Sequence, residues 1–351
     1  MSKAASIAEE RKQLLARLFP DGVPALWCPL ITHYDAAGRI DEKRMTAHLT
    51  HLSPWVKGFL IPGSTGDGWE MSADEIRQVI EIALEQTTQL KLHLLIGVLK
   101  TDAAEARQSI LDTLAWLKSH SSIDDTETCL IKRRVCGFTV CPPRGSDLPQ
   151  ERIAQGLSSI LEAGLPTAIY QLPQVTQNEM SPELVAELAD TSSNFILFKD
   201  TSGADRVALS GQKFANVFLV RGAEGDYVRW LKTAGGPYDG FLLSTANCFG
   251  QELHHLMRDV AAKRIDDARS LSERLTQAIN EVFGVVTGLT QGNPFANANK
   301  AMDHYFAYGP RAKDVPPPRL HAGGRLPEDV IRATGDALAR HGLMPQHGYL
   351  E

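Results

Sequence analysis

The chain has 351 residues, 43% hydrophobic and 22% charged, with a net charge of −6. This is the composition of a globular protein long enough for one large α/β barrel with an appendage, or for two ordinary domains. The balance supplies no basic field for nucleic acid, no run approaches a membrane span, and five cysteines without C-x-x-C spacing read as reduced thiols, not a zinc site.

Taken in order, Ile7 to Phe19 carries Ile7, Leu14, Leu15 and Leu18 among charges, a leading helix ended by Pro20-Asp21-Gly22. The segment from Met1 to Pro20 has no apolar core of signal-peptide length, so a cytoplasmic location is expected. Val23 to Ile31 and Val56 to Ile61 read as strands, with a helix over Asp41 to Leu52 between them. Ser72 and Glu75 form a capping-box pattern that opens the next helix. Strands follow at Leu90 to Leu99, Cys136 to Cys141, Thr167 to Leu172, Phe195 to Lys199, Val217 to Arg221 and Phe241 to Ser244. The intervening helices fall at Ala103 to Ser119, Gln150 to Ala163, Ser181 to Ala189, Asp205 to Phe214 and Asp226 to Thr233, with another from Gly250 to Ala262. The polar stretch Ser119 to Arg134 reads as a solvated loop.

Eight strand–helix units in strict alternation predict a (β/α)8 TIM barrel, because parallel strands need helical crossovers and eight close a barrel. A doubly wound sheet is the alternative, disfavoured by the repeat count and the length. Helices expected at Arg264 to Phe283, Asn297 to Phe306 and Glu328 to His341 make a C-terminal helical appendage. The expected organisation is a leading helix over 1–22, the barrel over 23–263 and the helical region over 264–351.

In such barrels the site lies at the C-terminal ends of the strands, so each strand is read for what it delivers there. The second delivers Gly63-Ser64-Thr65-Gly66, small residues whose backbone N–H groups approach an anion and whose hydroxyls add donors. Neither G-K-[ST] nor G-x-G-x-x-G is present, so a carboxylate suits it better than a phosphate. The fifth strand delivers Tyr170, either a packing residue or a proton shuttle. The sixth runs Phe195-Ile196-Leu197-Phe198 into Lys199. A lysine there has either left the sheet for solvent or been desolvated, and desolvation favours the neutral amine that a Schiff-base nucleophile needs. Carboxylate pocket, phenol and amine together suit Schiff-base chemistry on a 2-oxo acid.

Gly63-Ser64-Thr65-Gly66-Asp67, Tyr170-Gln171-Leu172-Pro173, Lys199-Asp200-Thr201-Ser202-Gly203 and Ser244-Thr245-Ala246-Asn247 come in this order on the right strands. In them the chain resembles the dihydrodipicolinate synthase / N-acetylneuraminate lyase family of pyruvate-dependent class I aldolases. The resemblance implies an imine between Lys199 and pyruvate, proton relay by Tyr170, and a carboxylate held by Ser64 and Thr65. It also implies small-molecule substrates (a 2-oxo acid and an aldehyde), no cofactor, no metal, and a homotetramer. Gly222-Ala223-Glu224 resembles the lyase's glycine-x-aspartate, so Glu224 and Ser244 are expected at the hydroxyls of a polyol tail, although Glu224 is equally placed as a charge at a helix N-terminus.

Four departures bear on the substrate. Val175 stands where the synthase has an arginine for its second substrate's carboxylate, and Cys141-Pro142-Pro143-Arg144 replaces P-Y-Y, which puts the relay between subunits in question. Gln171 replaces an asparagine and Asp67 a glutamate. The leading expectation is an aldolase or lyase of a 2-oxo-3-deoxy sugar acid. A dehydratase using the same imine, the synthase reaction itself, and a barrel that only binds 2-oxo acids are the alternatives.

Overall fold

The computed structural model describes residues 3–351. Eight parallel strands follow one another in chain order around a closed barrel. Helix α1 (Lys3–Leu18) precedes β1 (Leu26–Pro29), α2 (Glu42–Leu52), β2 (Gly58–Ile61) and α3 (Ala73–Gln89). Next come β3 (His93–Gly97), α4 (Ala103–Ser121), α5 (Thr126–Lys132), β4 (Val135–Val140) and α6 (Gln150–Leu161). The chain continues through β5 (Thr167–Gln171), α7 (Pro173–Thr176), α8 (Pro182–Thr191), β6 (Phe195–Asp200) and α9 (Arg206–Leu209). After β7 (Phe218–Arg221), α10 (Tyr227–Trp230) and β8 (Gly240–Leu242), four helices follow: α11 (Ala246–Ala261), α12 (Ile265–Val286), α13 (Pro294–Tyr308) and α14 (Glu328–Arg340). The barrel and the C-terminal helices are those the alternation predicts. Among the described residues no helix is long and apolar enough to cross a membrane.

The apolar runs form strands because both faces are covered: all six residues of β4 and all six of β6 are buried. The capping box at the start of α3 is formed, with the Glu75 N–H donating to Ser72 Oγ and the Ser72 N–H donating to Glu75 Oε2.

Four expectations are corrected. The stretch from Ser119 to Arg134 is not a loop: Asp125 caps α5 by accepting from the Thr128 N–H, and Cys129 and Leu130 are buried. The helix expected to reach Phe214 ends at Leu209, and Gly211, at φ 74°, turns the chain out of helical geometry. The helix expected over Asp226 to Thr233 is one turn, because Leu231 is extended and a short 3-10 turn follows. β8 ends at Leu242, so Ser244 lies in the turn that enters α11.

The chain forms two compact units. One comprises residues up to Ala25 together with His93–Ala223 and Pro237–Leu242. In it, Arg11 of α1 is fully buried and donates to the carbonyls of Phe195 (2.6 Å), Ser192 (2.7 Å), Ala189 and Ala215. Burial pushes this guanidinium down to about 10. The other unit comprises Leu26–Leu92, Glu224–Gly236 and Leu243–Glu351. Its α13 is buried from Ala296 to Ala307 on every face, against α11, α12, α14 and the turn after β2.

Candidate active site

In the first unit, strand register sets the catalytic candidates side by side. Tyr170 pairs with Lys199, and Lys199 with Val220, so all three side chains share one face of the sheet. Lys199 is 4% exposed, and its Nζ stands 4.0 Å from the centroid of the Tyr170 ring. The lysine has not left the sheet for solvent. A cation over a phenol face is favourable, and the same geometry puts the amine beside a proton donor.

Gly222 closes this corner. Its N–H donates to the Asp200 carbonyl at 2.6 Å. A Cβ there would meet Thr201 Cγ2 at 2.4 Å and Lys199 Cε at 2.9 Å, so only glycine allows the backbone this close.

The residues after Lys199 hold its strand end. Asp200 points to the opposite face, where it accepts the Ser202 N–H at 2.9 Å. Tyr238 Oη lies 2.6 Å from Asp205 Oδ1 and 3.3 Å from Asp200 Oδ2, and Arg221 grips Asp205 through Nε (2.9 Å) and Nη2 (3.0 Å). Burial pushes the Asp200 carboxyl up, with Ser202 and Tyr238 opposing it. Thr201 donates from Oγ1 to the Gln171 carbonyl at 2.6 Å, tying β6 to β5. Gln171 is fully buried on the face opposite Tyr170 and accepts the Met180 N–H at 2.8 Å. Its replacement of asparagine therefore concerns the support of the strand. Val175 is half-buried in α7, and Arg144 is exposed.

In the second unit, Ser64–Gly66 form a 3-10 turn at the end of β2. Ser64 Oγ accepts from Trp69 Nε1 at 2.9 Å, and the Ser64 carbonyl accepts from Asn293 Nδ2 at 3.0 Å. Gly63 and Thr65 are buried. The peptide plane fixes the consequence: with its carbonyl turned to Asn293, the Thr65 N–H faces the other way. Asp67, at φ 61°, pairs with Lys300 and accepts from Tyr34 Oη at 3.1 Å.

Glu224 has both carboxylate oxygens engaged. Oε1 accepts from Ser244 Oγ (2.9 Å) and the Thr245 N–H (3.1 Å), and Oε2 from Thr245 Oγ1 (2.7 Å) and Tyr227 Oη (3.0 Å). Four donors fill a carboxylate. The expectation that Glu224 itself meets substrate hydroxyls is therefore corrected: Glu224 stands behind Ser244 and Thr245 and orients them.

Sequence reasoning missed a buried polar group in the same unit. His33 Nε2 lies 3.0 Å from His48 Nδ1, His48 Nε2 lies 2.8 Å from the Asn247 carbonyl, and Asp303 is 3.4 Å from His48. The donor atoms of His33, His48 and Asp303 lie within 4.8 Å of one another, as a metal would require. Their charges argue otherwise. Arg44 holds Asp303 at 2.9 Å, and burial, then Arg44, His48 and Lys300, hold His33 well below the usual histidine range. A divalent ion would enter a positive field whose single carboxylate is already neutralised. The signal for this cluster was a helix, α13, whose polar residues lie among alanines on every face.

A cavity of about 860 Å³ lies among Tyr305, Val315, Pro316, Ile331, Arg332 and Met344 in the appendage and contains none of the strand-end residues.

Comparison with known proteins agrees with the motifs. A model of the dihydrodipicolinate synthetase family matches residues 135–290. A 4-hydroxy-tetrahydrodipicolinate synthase of Agrobacterium fabrum is 27% identical over 66% of this chain and 71% of its own length. One from Lactococcus lactis subsp. cremoris is 22% identical over 74% of this chain and 81% of its own. Among solved structures, an Escherichia coli prophage protein of the dihydrodipicolinic acid synthase family, in complex with pyruvate, superposes with a TM-score of 0.70 at 20% identity, covering 91% of this chain and 99% of that one. A variant of the Sulfolobus solfataricus 2-keto-3-deoxygluconate aldolase gives 0.69 at 15% identity, over 91% and 96%. These two likenesses bear on the fold. The family match over residues 135–290, the curated relatives and four motifs in order on their strands support the dihydrodipicolinate synthetase family for this chain.

Proposed function

We propose that this protein is a class I aldolase or lyase in which Lys199 forms a Schiff base with pyruvate or a close 2-oxo acid. The observation that carries the reading is the buried Lys199 amine against the Tyr170 ring at the end of β6, with Gly222 as its wall. Nζ attacks C2 of the 2-oxo acid, and the resulting carbinolamine loses water to give the imine. Tyr170 supplies the proton that leaves with this water and takes it back on hydrolysis. The protonated imine accepts the electron pair when C3 gives its proton to the Tyr170 phenolate, and the enamine so formed adds to an aldehyde carbonyl, whose oxygen takes that proton from Tyr170. Cleavage runs the same steps backwards. Ser64 and Thr65 are assigned the substrate carboxylate, supported by the Thr65 N–H direction and by a Ser64 hydroxyl that accepts from Trp69 and is left to donate.

For the aldehyde we propose a polyhydroxylated partner. The Ser244 and Thr245 hydroxyl protons are committed to Glu224, so these oxygens offer lone pairs, which suit substrate O–H groups and repel a carboxylate. Val175 supplies no counter-charge for an acidic partner. A homotetramer is the assembly carried over from the family, and light scattering on the intact chain tests it.

Borohydride reduction with pyruvate should add one reduced pyruvyl group at Lys199. An adduct on another lysine, or none with any 2-oxo acid, ends this reading. Glu224→Ala should lower kcat/KM for a sugar-derived aldehyde about tenfold while leaving imine trapping intact, since it frees two hydroxyls to rotate. If aspartate semialdehyde is the better partner, the polyol assignment fails.

A further inference from the structure

The Gly63–Asp67 loop is held from one side by the appendage. Asn293 caps α13 by accepting the Ala296 N–H through Oδ1 (2.8 Å), while its Nδ2 donates to the Ser64 carbonyl (3.0 Å). Thr32 Oγ1 donates to the Gly66 carbonyl at 2.8 Å, and a Cβ on Gly66 would lie 2.4 Å from the Leu30 carbonyl. At the loop's end Asp67 takes a left-handed conformation that few non-glycine residues adopt. Its carboxylate meets Lys300, which is 1% exposed and lies 4.7 Å from the centroid of the Tyr34 ring.

A buried ion pair adds little net stability over an apolar pair of the same shape, but breaking it leaves a charge without a partner. What it does specify is geometry. Here the geometry is that of a turn whose Ser64 carbonyl points toward the start of α13 and whose Thr65 N–H points away. Neither residue of the pair is needed for the covalent steps at Lys199.

We propose that Lys300 is a positioning residue: its buried ion pair with Asp67 sets the Gly63–Asp67 loop and thereby the affinity for the carboxylate of the 2-oxo acid. The inference rests on the Schiff-base reading. It makes the C-terminal helices part of substrate recognition, although no side chain of α13 is assigned to the substrate.

The test is borohydride trapping of the full-length protein with pyruvate, scoring the adduct on Lys199 against pyruvate concentration, with thermal melting alongside. Lys300→Met leaves Asp67 unpaired and is prone to unfolding, so the deciding variant is the neutral double substitution Asp67→Asn with Lys300→Met. It should raise half-saturating pyruvate about tenfold while the adduct at saturation still forms on Lys199. Ala298→Gly, on the same helix, is the stability control and should lower the melting temperature with half-saturation unchanged. A double variant with wild-type half-saturation overturns the inference, as does an equal rise in the Ala298→Gly control. Absence of any adduct in the wild type brings down the Schiff-base reading and this inference with it; a normal wild-type adduct with an unmoved double variant removes the inference alone.

Discussion

Two buried lysines, one on β6 and one on α13, show how little residue type and burial say by themselves. Lys199 and Lys300 are 4% and 1% exposed, and each lies over a tyrosine ring, Tyr170 at 4.0 Å and Tyr34 at 4.7 Å. Lys300 is clamped in an ion pair with Asp67, and Asp67 is also held by the Tyr34 hydroxyl. Burial pushes the Lys300 ammonium down and Asp67 opposes it, so the amine is held as half of an ion pair. Lys199 lies at a strand end whose neighbours are tied down, Thr201 to the Gln171 carbonyl and Asp200 to the Ser202 N–H and the Tyr238 hydroxyl. The polar residues after Lys199 fix the place of its strand end, whereas Lys300 is held by its ion pair with Asp67.

That contrast predicts opposite phenotypes. Lys199→Ala should lower turnover by more than about a thousandfold, yet melt close to the wild type, because it removes the nucleophile and leaves the Asp67–Lys300 ion pair intact. Lys300→Met should cost about 3–5 kcal/mol of stability, as expected for half of a buried pair. Denaturant titration beside an activity assay reads both. If Lys300→Met keeps its stability and Lys199→Ala loses it, the two roles have been assigned the wrong way round.

A subtler way to sharpen the comparison is to move Lys199 without changing it. Gly222→Ala places a methyl 2.4 Å from Thr201 Cγ2 and 2.9 Å from Lys199 Cε, so the side chain must shift. We expect kcat/KM to fall about tenfold to hundredfold, since small misplacements at a reacting atom are costly, with the trapped adduct still on Lys199. Wild-type kinetics in this variant would mean that the corner tolerates a Cβ.

The smallest effect concerns acid. Burial first, then Arg44, His48 and Lys300, hold His33 below the ordinary value of 6.5, and burial does the same to His48 against the pull of Asp303. The unfolded chain takes up protons below that pH and the folded chain does not. Stability is therefore full above pH 6.5 and should fall as the pH drops below it. Melting temperatures at pH 7.5 and 5 read this, and His33→Gln should flatten the dependence.

Much of the barrel was legible because a strand buried on both faces writes itself as an apolar run, and the letter after the run is the residue delivered to the strand end. Phe195 to Lys199 is the clearest case. The roles behind that letter were not legible. Asp205, Arg221 and Tyr238 lie far apart in the chain, and only folding brings them under Asp200. Glu224 reads as a substrate contact until its four donors are seen, three of them, on Ser244 and Thr245, about twenty residues downstream. Lys300 carries a charge in a helix of alanines and asparagines, which announces burial, but its partner lies 233 residues away. The polar segment before β4 misled because composition outweighed the cap at Asp125.

Arg11 carries a consequence for anyone who redesigns or trims this protein. One guanidinium closes four carbonyls, from Ala189, Ser192, Phe195 and Ala215, and one of them belongs to the first residue of the strand that carries Lys199. A truncation that begins at the first barrel strand would leave those four acceptors without their donor, and a tag or fusion that unwinds α1 would do the same. For recombinant work the leading helix is the foundation stone of β6, and the cut belongs on its far side.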